Sequence, residues 1–176
     1  MGLLLRGKRS DRKETDNYNI SSPTIDVSSF SNLRVPSTRG AILAKIIMCE
    51  NRGISIRVSV PNLINFISSN ELIISRCIGI IIENAIEATE NCLNPFVNIS
   101  CIKKGNTTSF IVESNYNKNI IDSNSLLDDF YFSNDENGFV CLHDVRNLLA
   151  YESNVIFDSV VLDDIVKRTL HITAFY

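Results

Sequence analysis

The chain has 176 residues, of which 44% are hydrophobic and 21% charged, with seven Gly and four Pro. That is enough for one domain with a real core and a short tail, and it excludes the compositions of disordered, collagen-like and repeat chains. A formal net charge of -3 provides no overall attraction for nucleic acid. Five Cys (Cys49, Cys77, Cys92, Cys101, Cys141), without CxxC or His spacing, give no pattern for a disulfide framework or a zinc site. They are expected as small buried hydrophobes in a reducing compartment.

Residues 1–35 are polar and rich in Ser, Asn and Asp, and they open with Arg6, Lys8, Arg9, Arg12 and Lys13 against Asp11 and Glu14. The composition predicts a linker; a basic arm for a membrane surface or nucleic acid is the lesser alternative. Three Leu in MGLLLRGK fall short of a secretion signal. The richest apolar run, Leu72 to Ala88, is broken by Ser75, Arg76, Glu83, Asn84 and Glu87, so no membrane span is expected.

After Pro36, TRGAILAKIIMCE repeats apolar residues at helical spacing and predicts a helix over 37–51, ended by Gly53. ISIRVSV (54–60) alternates Ile54, Ile56, Val58 and Val60 with polar residues, the period of a half-buried strand. Ser69 or Asn70 can cap a long helix running to Cys92, with Ile74, Cys77, Ile78, Ile81, Ala85 and Ala88 on one apolar face. FVNISCIKK (96–104) and TTSFIVESN (107–115), joined by Gly105-Asn106, predict a hairpin. Residues 116–139 read as loop, 140–151 as a shorter helix, and 154–160 and 168–175 as closing strands. The order predicts an α/β fold: a mixed sheet with its helices on one face.

On the central helix Asn84, Glu87 and Asn91 fall within about 60° of one another, a polar strip on an otherwise apolar element. A carboxamide oxygen and a carboxylate one turn apart suit a hard cation such as Mg2+, which takes oxygen ligands and keeps water and phosphate in its shell. The plainer reading is the solvent face of an amphipathic helix. His143 and His171 are the chain's two His, and neither lies in a pattern that suggests catalysis; the Ser residues lack a GxSxG elbow.

IGIIIENAIEA (78–88) resembles the N-box of GHKL ATP-binding domains, in particular the peptide-pheromone (quorum-sensing) receptor histidine kinases, whose core reads DNAIEA. RGAILAKIIMCENRGISIRVSV upstream is similar to that group's helix and strand, and the resemblance spans about residues 36–176. It implies a two-layer Bergerat-type sandwich with a mostly antiparallel sheet, preceded by a linker over 1–35. It also implies a site for ATP and Mg2+, with Asn84 on the metal and Glu83 and Glu87 in the motif. GHKL hydrolases place a Glu four residues before this Asn to activate water; here that position is Ile80, which fits a kinase-type site that holds ATP without hydrolysing it. The adenine-binding Asp-x-Gly-x-Gly box is absent, and Asn115 or Ser114 in IVESN stands at the matching strand end. Lys45 matches a family Lys.

DDFYFSNDENGFVCLHDVR (128–146) is similar to the family's lid, KKGYSTKGENRGLGLYNVR, with Tyr131, Ser133, Glu136, Asn137, Leu142, Val145 and Arg146 matched or nearly so. Two lid Lys become Asp128 and Asp129, and three Gly become Phe130, Phe139 and Cys141. A side chain at a phosphate-loop glycine obstructs close approach of the anion. A carboxylate about 8 Å from a phosphate charge costs roughly 2 kcal/mol at an effective dielectric near 20. Gly138 can restore one glycine if the loop shifts by a residue. The resemblance thus implies Asn84, Glu87, Asn115, Ser133 and Gly138 as nucleotide contacts. Two functions follow from it. One is the cytoplasmic catalytic end of a sensor kinase, passing a phosphoryl group from ATP to a kinase His and meeting a dimerisation domain or response regulator; the other is a non-catalytic pseudokinase module.

Overall fold

The computed structural model describes residues 25–127 and 142–175. Strands β1 (Ile25–Asp26), β2 (Ser55–Ser59), β3 (Phe96–Lys104), β4 (Thr107–Asn115), β5 (Val155–Leu162) and β6 (Ile165–Thr173) form one sheet in the order β1-β2-β3-β4-β6-β5. The β1–β2 and β2–β3 pairs are parallel, and β3–β4, β4–β6 and β5–β6 are antiparallel. Helices α1 (Pro36–Asn51), α2 (Glu71–Thr89) and α4 (Leu142–Leu149) cover one face, with α2 in the middle touching α1, α4, β3 and β4. The expected two-layer, mostly antiparallel α/β architecture is the one found.

Local chemistry sets the element ends. Pro36 opens α1, where its missing N–H and fixed φ are no handicap. Gly53, at φ 69°, turns the chain out of α1, with Ile54 N donating to Cys49 O at 2.9 Å. Asn70 caps α2: its Oδ1 accepts from Leu72 N at 3.1 Å and Ile73 N at 3.4 Å. The hairpin turn has Gly105 at φ 60°, as a two-residue turn with Gly first requires.

The sheet's helix-facing side and α2 supply an Ile-rich interior, including Ile56, Val58, Ile74, Ile78, Ile81, Ile86, Val97, Ile99, Phe110 and Leu170. Burial of each such side chain contributes about 1.5–3 kcal/mol. A second, smaller cluster of Ala88, Tyr116, Ile121, Leu126 and Val166 lies at the far end of α2. Cys49, Cys77 and Cys101 are free and buried, as packing thiols should be, and Cys92 is half-buried. Burial pushes the thiols of Cys49 and Cys77 up to about 11 and about 12, against weaker opposition from Arg52 and Arg76 respectively.

Three expectations change. The linker expected over 1–35 contributes residues 25–35 to the fold: β1 joins the sheet, and Phe30, Leu33 and Val35 are buried beside Ile64. A five-residue helix, α3 (Ser123–Leu127), interrupts the expected loop and buries Leu126. The closing strands meet at Asp163-Asp164 rather than across a longer gap, so β6 begins at Ile165 and not at Arg168. Tyr116 fixes that turn, its backbone N–H donating to Asp164 O at 3.2 Å and its hydroxyl to Asp163 O at 3.1 Å.

Candidate functional site

Asn84 and Glu87 lie on the half of α2 that runs over the sheet toward the end of β4. Asn84 is buried at 7% exposure, so the strip predicted to border either a site or open solvent is not a solvent face at this residue. Its Nδ2 donates to Ile80 O at 3.1 Å, one turn back on the same helix, which directs Oδ1 to the opposite side of the amide. Glu87 is half-buried, and Asn91 is exposed beyond the helix. Glu83 pairs with Lys45 of α1 at 2.9 Å, with both side chains largely covered, so this carboxylate helps join α1 to α2.

Where α2 ends, Thr89 Oγ1 donates to Asn115 Oδ1. The same oxygen accepts from Phe96 N at 3.2 Å, and Asn115 Nδ2 donates to Asn94 O at 3.0 Å. Both ends of the Asn115 amide are therefore engaged in holding the helix terminus to β3 and β4. Asn84 lies five residues before Thr89, about 7–8 Å along the axis. A shallow cleft of about 510 Å³ opens beside Asn115 and includes Asn117, whose amide is also occupied, donating to Asn91 O at 2.9 Å and accepting from Asn119 N at 3.0 Å.

Ser114 behaves differently from its neighbour. It points to the helix layer at 0% exposure, and its Oγ has no hydrogen-bond partner. On β6, two strand positions away across the ladder, Arg168 points to the same layer at 2% exposure. Its Nη2 donates to Leu126 O of α3 at a long 3.4 Å, and its Nε has no partner. Burial pushes the guanidinium down to about 10, opposed by the carboxylate of Glu87. A buried cation with so little compensation costs several kcal/mol.

A GHKL domain family matches residues 70–167, more than half of the chain. The chain belongs to the GHKL family. Among solved structures, the nucleotide-free catalytic domain of histidine kinase ThkA is 16% identical with a TM-score of 0.61, over 78% of this chain and 90% of that one. The ThkA chain in complex with response regulator TrrA is 14% identical with a TM-score of 0.57, over 78% and 39% of the two chains. Histidine kinase AdeS of Acinetobacter baumannii is 13% identical with a TM-score of 0.57, over 77% and 64%. At these identities the likeness concerns the fold. No curated protein sequence matches the chain.

GHKL histidine kinase domains in general bind ATP with Mg2+. Among the described residues no group of three His, Cys, Asp or Glu side chains is placed to hold a metal ion. Mg2+ does not require one: it is usually held by one or two protein oxygens together with phosphate and water. The oriented oxygen of Asn84 fits that donor set. Ser133 and Gly138, with the lid residues Asp128, Asp129, Phe130, Tyr131, Glu136, Asn137, Phe139 and Cys141, lie outside the described residues. Among the described residues no helix is long and apolar enough to cross a membrane. His171 Nδ1 shares a hydrogen bond of 2.8 Å with Ser109 on the neighbouring strand, a structural contact.

Arg168 is not among the residues expected from the sequence to serve the site. Its signal was available: in VKRTLHI, Val166, Arg168, Leu170 and Ile172 share one strand face, and an arginine in that row is buried with the others.

Proposed function

We propose that this GHKL domain is the nucleotide-holding module of a sensor histidine kinase of the peptide-pheromone receptor group, its domain lying within 36–176 and extended by the packed residues 25–35. One observation carries the reading: the Thr89–Asn115 tie holds the last turn of α2 to the end of β4, five residues beyond the buried Asn84 amide and beside the Ser114 hydroxyl, which has no partner. In that arrangement Asn84 Oδ1 would hold the Mg2+ of a nucleotide. Ser114, rather than the fully engaged Asn115, faces the base, while Ser133 and Gly138 serve the phosphates. The bound Mg2+ supplies neutralisation of phosphate charge. The chain's own residues hold and orient the nucleotide, and Ile80, where a base would stand, keeps water from being activated at this helix turn.

The phosphoryl acceptor is a His on a kinase dimerisation domain. Resemblance to the ThkA chain, which is found with a response regulator, supports a place in two-component signalling. The second reading, a pseudokinase module, is favoured by the lid sequence, where Asp128, Asp129, Phe130, Phe139 and Cys141 replace the Lys and Gly of the group.

Calorimetry of the full chain with Mg-ADP and Mg-ATP separates the two. A working holder binds both, and Asn84→Ala abolishes most of the Mg2+-dependent affinity without unfolding the chain. A pseudokinase binds neither tightly until Asp128→Lys, Asp129→Lys, Phe139→Gly and Cys141→Gly are introduced together. Folded chains that bind nothing in either background would end the nucleotide reading.

A further inference from the structure

A cavity of about 190 Å³ opens at the hairpin end of the sheet, away from Asn84 and Ser114. Lys103 of β3 and Thr108 of β4 line it; they are directly opposite each other in the ladder, on the sheet side that carries Cys101 and Phe110. Phe66 and Ser68, from the loop that leads into α2, complete the lining with Ala174 and Phe175 just past β6. Thr108 and Ser114 are six residues apart on β4, about 20 Å along the strand, so this cavity is separate from the nucleotide end.

Hydrogen bonds hold the cavity open in advance of any ligand. Asn154 Nδ2 donates to Ser68 O and, at 3.0 Å, to Thr173 O, which fastens the loop to β6. Asn106 Nδ2 donates to Ala174 O at 3.0 Å, and Ala174 N donates back to Asn106 O at 2.9 Å, closing the hairpin turn onto the end of β6. Inside that frame the polar groups are unspent. Thr108 is 6% exposed, yet neither its hydroxyl nor that of Ser68 has a hydrogen-bond partner among the described residues. Lys103 Nζ stands 4.9 Å from the centre of the Phe66 ring and has no carboxylate partner among the described residues. Its charge is the one formal charge among the described lining residues. Phe66 and Phe175 are 58% and 74% exposed, rings that the domain leaves largely uncovered.

An ammonium and two hydroxyls call for an anionic acceptor, while two rings and an alanine call for an apolar body. A cavity of about 150 Å³ suffices for benzene. The volume of about 190 Å³ therefore takes one six-membered ring with a small head group. Inorganic phosphate would leave both rings unused, and a neutral ring would leave the ammonium unpaired.

We propose that this cavity binds a small aromatic carboxylate, its ring between Phe66 and Phe175 and its carboxylate on Lys103, Thr108 and Ser68. The site is independent of the nucleotide reading.

The test is an NMR titration of the 15N-labelled full chain with benzoate, benzamide, acetate and inorganic phosphate, followed at the amides of Ser68, Lys103, Thr108 and Phe175. Benzoate should shift these amides saturably and bind about tenfold or more tighter than benzamide or acetate, the scale of one charge-assisted hydrogen bond or one covered ring. Lys103→Met, which keeps the stem and removes the charge, should weaken benzoate about tenfold. Thr108→Val, isosteric and suited to a strand, should weaken it about threefold or more. Equal binding of benzoate and benzamide, or an affinity unchanged in Lys103→Met, overturns the carboxylate. Acetate or phosphate binding as tightly as benzoate overturns the ring. A peptide with a free C-terminal Phe that saturates the same amides where benzoate does not would give the cavity to a protein C-terminus and overturn the small ligand. Absence of any saturable shift overturns the site. Lys103 is exposed, so its substitution leaves the fold intact; should Thr108→Val fail to fold, Lys103→Met and the native contrast decide.

Discussion

The two ends of α2 rest on the same sheet face, yet they rest on different chemistry. Toward its first turns the sheet offers Ile99, Cys101, Phe110 and Leu170, and the helix answers with Ile74, Cys77, Ile78 and Ile81. Toward its last turns the rows continue into Ser114, Ser159 and Arg168, with Asn84 and Glu87 above and Thr89 bonded to Asn115. A dry interface adds stability with every buried methylene, whereas an unpartnered donor subtracts from it. One half of the α2–sheet contact is thus built to hold the fold. The other gives up stability to keep Ser114 Oγ, Ser159 Oγ and Arg168 Nε buried without a partner, as binding sites do.

The contrast breaks most easily at its dry end. Ile81, 2% exposed, should cost about 2–5 kcal/mol when changed to Ala, measured by urea unfolding. At the polar end the sign should be opposite or null. Arg168→Met, which fills the same space without charge, should leave stability unchanged or raise it by about 1 kcal/mol or more, because the orphaned donor disappears. A loss comparable to that of Ile81→Ala would make Arg168 a structural strut and erase the distinction.

The smallest effect concerns the thiols of the dry end. Folding raises Cys49 and Cys77 from 9.0 to about 11 and about 12, so between those values the unfolded chain has released protons that the folded chain retains. Their contribution to stability is full below pH 9 and is lost as pH rises through about 11 and about 12. Unfolding midpoints should therefore fall above pH 9, and Cys49→Ala with Cys77→Ala should flatten that fall. A profile unchanged by the double substitution would contradict the assignment.

Legibility in the sequence follows the same division. Both strands of the hairpin, 96–104 and 107–115, can be read to the residue because alternation and the Gly105 turn are local signals. α2 was legible from its apolar period and its Asn70 cap. β1 is two residues long in a polar stretch, and α3 is five, too short for any period to show. β6 starts at Ile165, three residues before the strand expected from Arg168, because nothing local marks the tight turn at Asp163-Asp164. The polar strip at Asn84 and Glu87 could be drawn on a helical wheel. The band of Ser114, Ser159 and Arg168 could not, since it exists only once the register of β4, β6 and β5 is known.

The central claim, that the polar end of α2 holds a metal–nucleotide, is tested most directly by replacing Mg2+ with paramagnetic Mn2+ and following the backbone amides of the 15N-labelled chain by NMR, with ATP. The account predicts nucleotide-dependent broadening strongest at Asn84 and its neighbours on α2, extending to Ser114 and weakening toward the first turns of the helix. Broadening centred on the dry end, or none at saturating nucleotide, would contradict it.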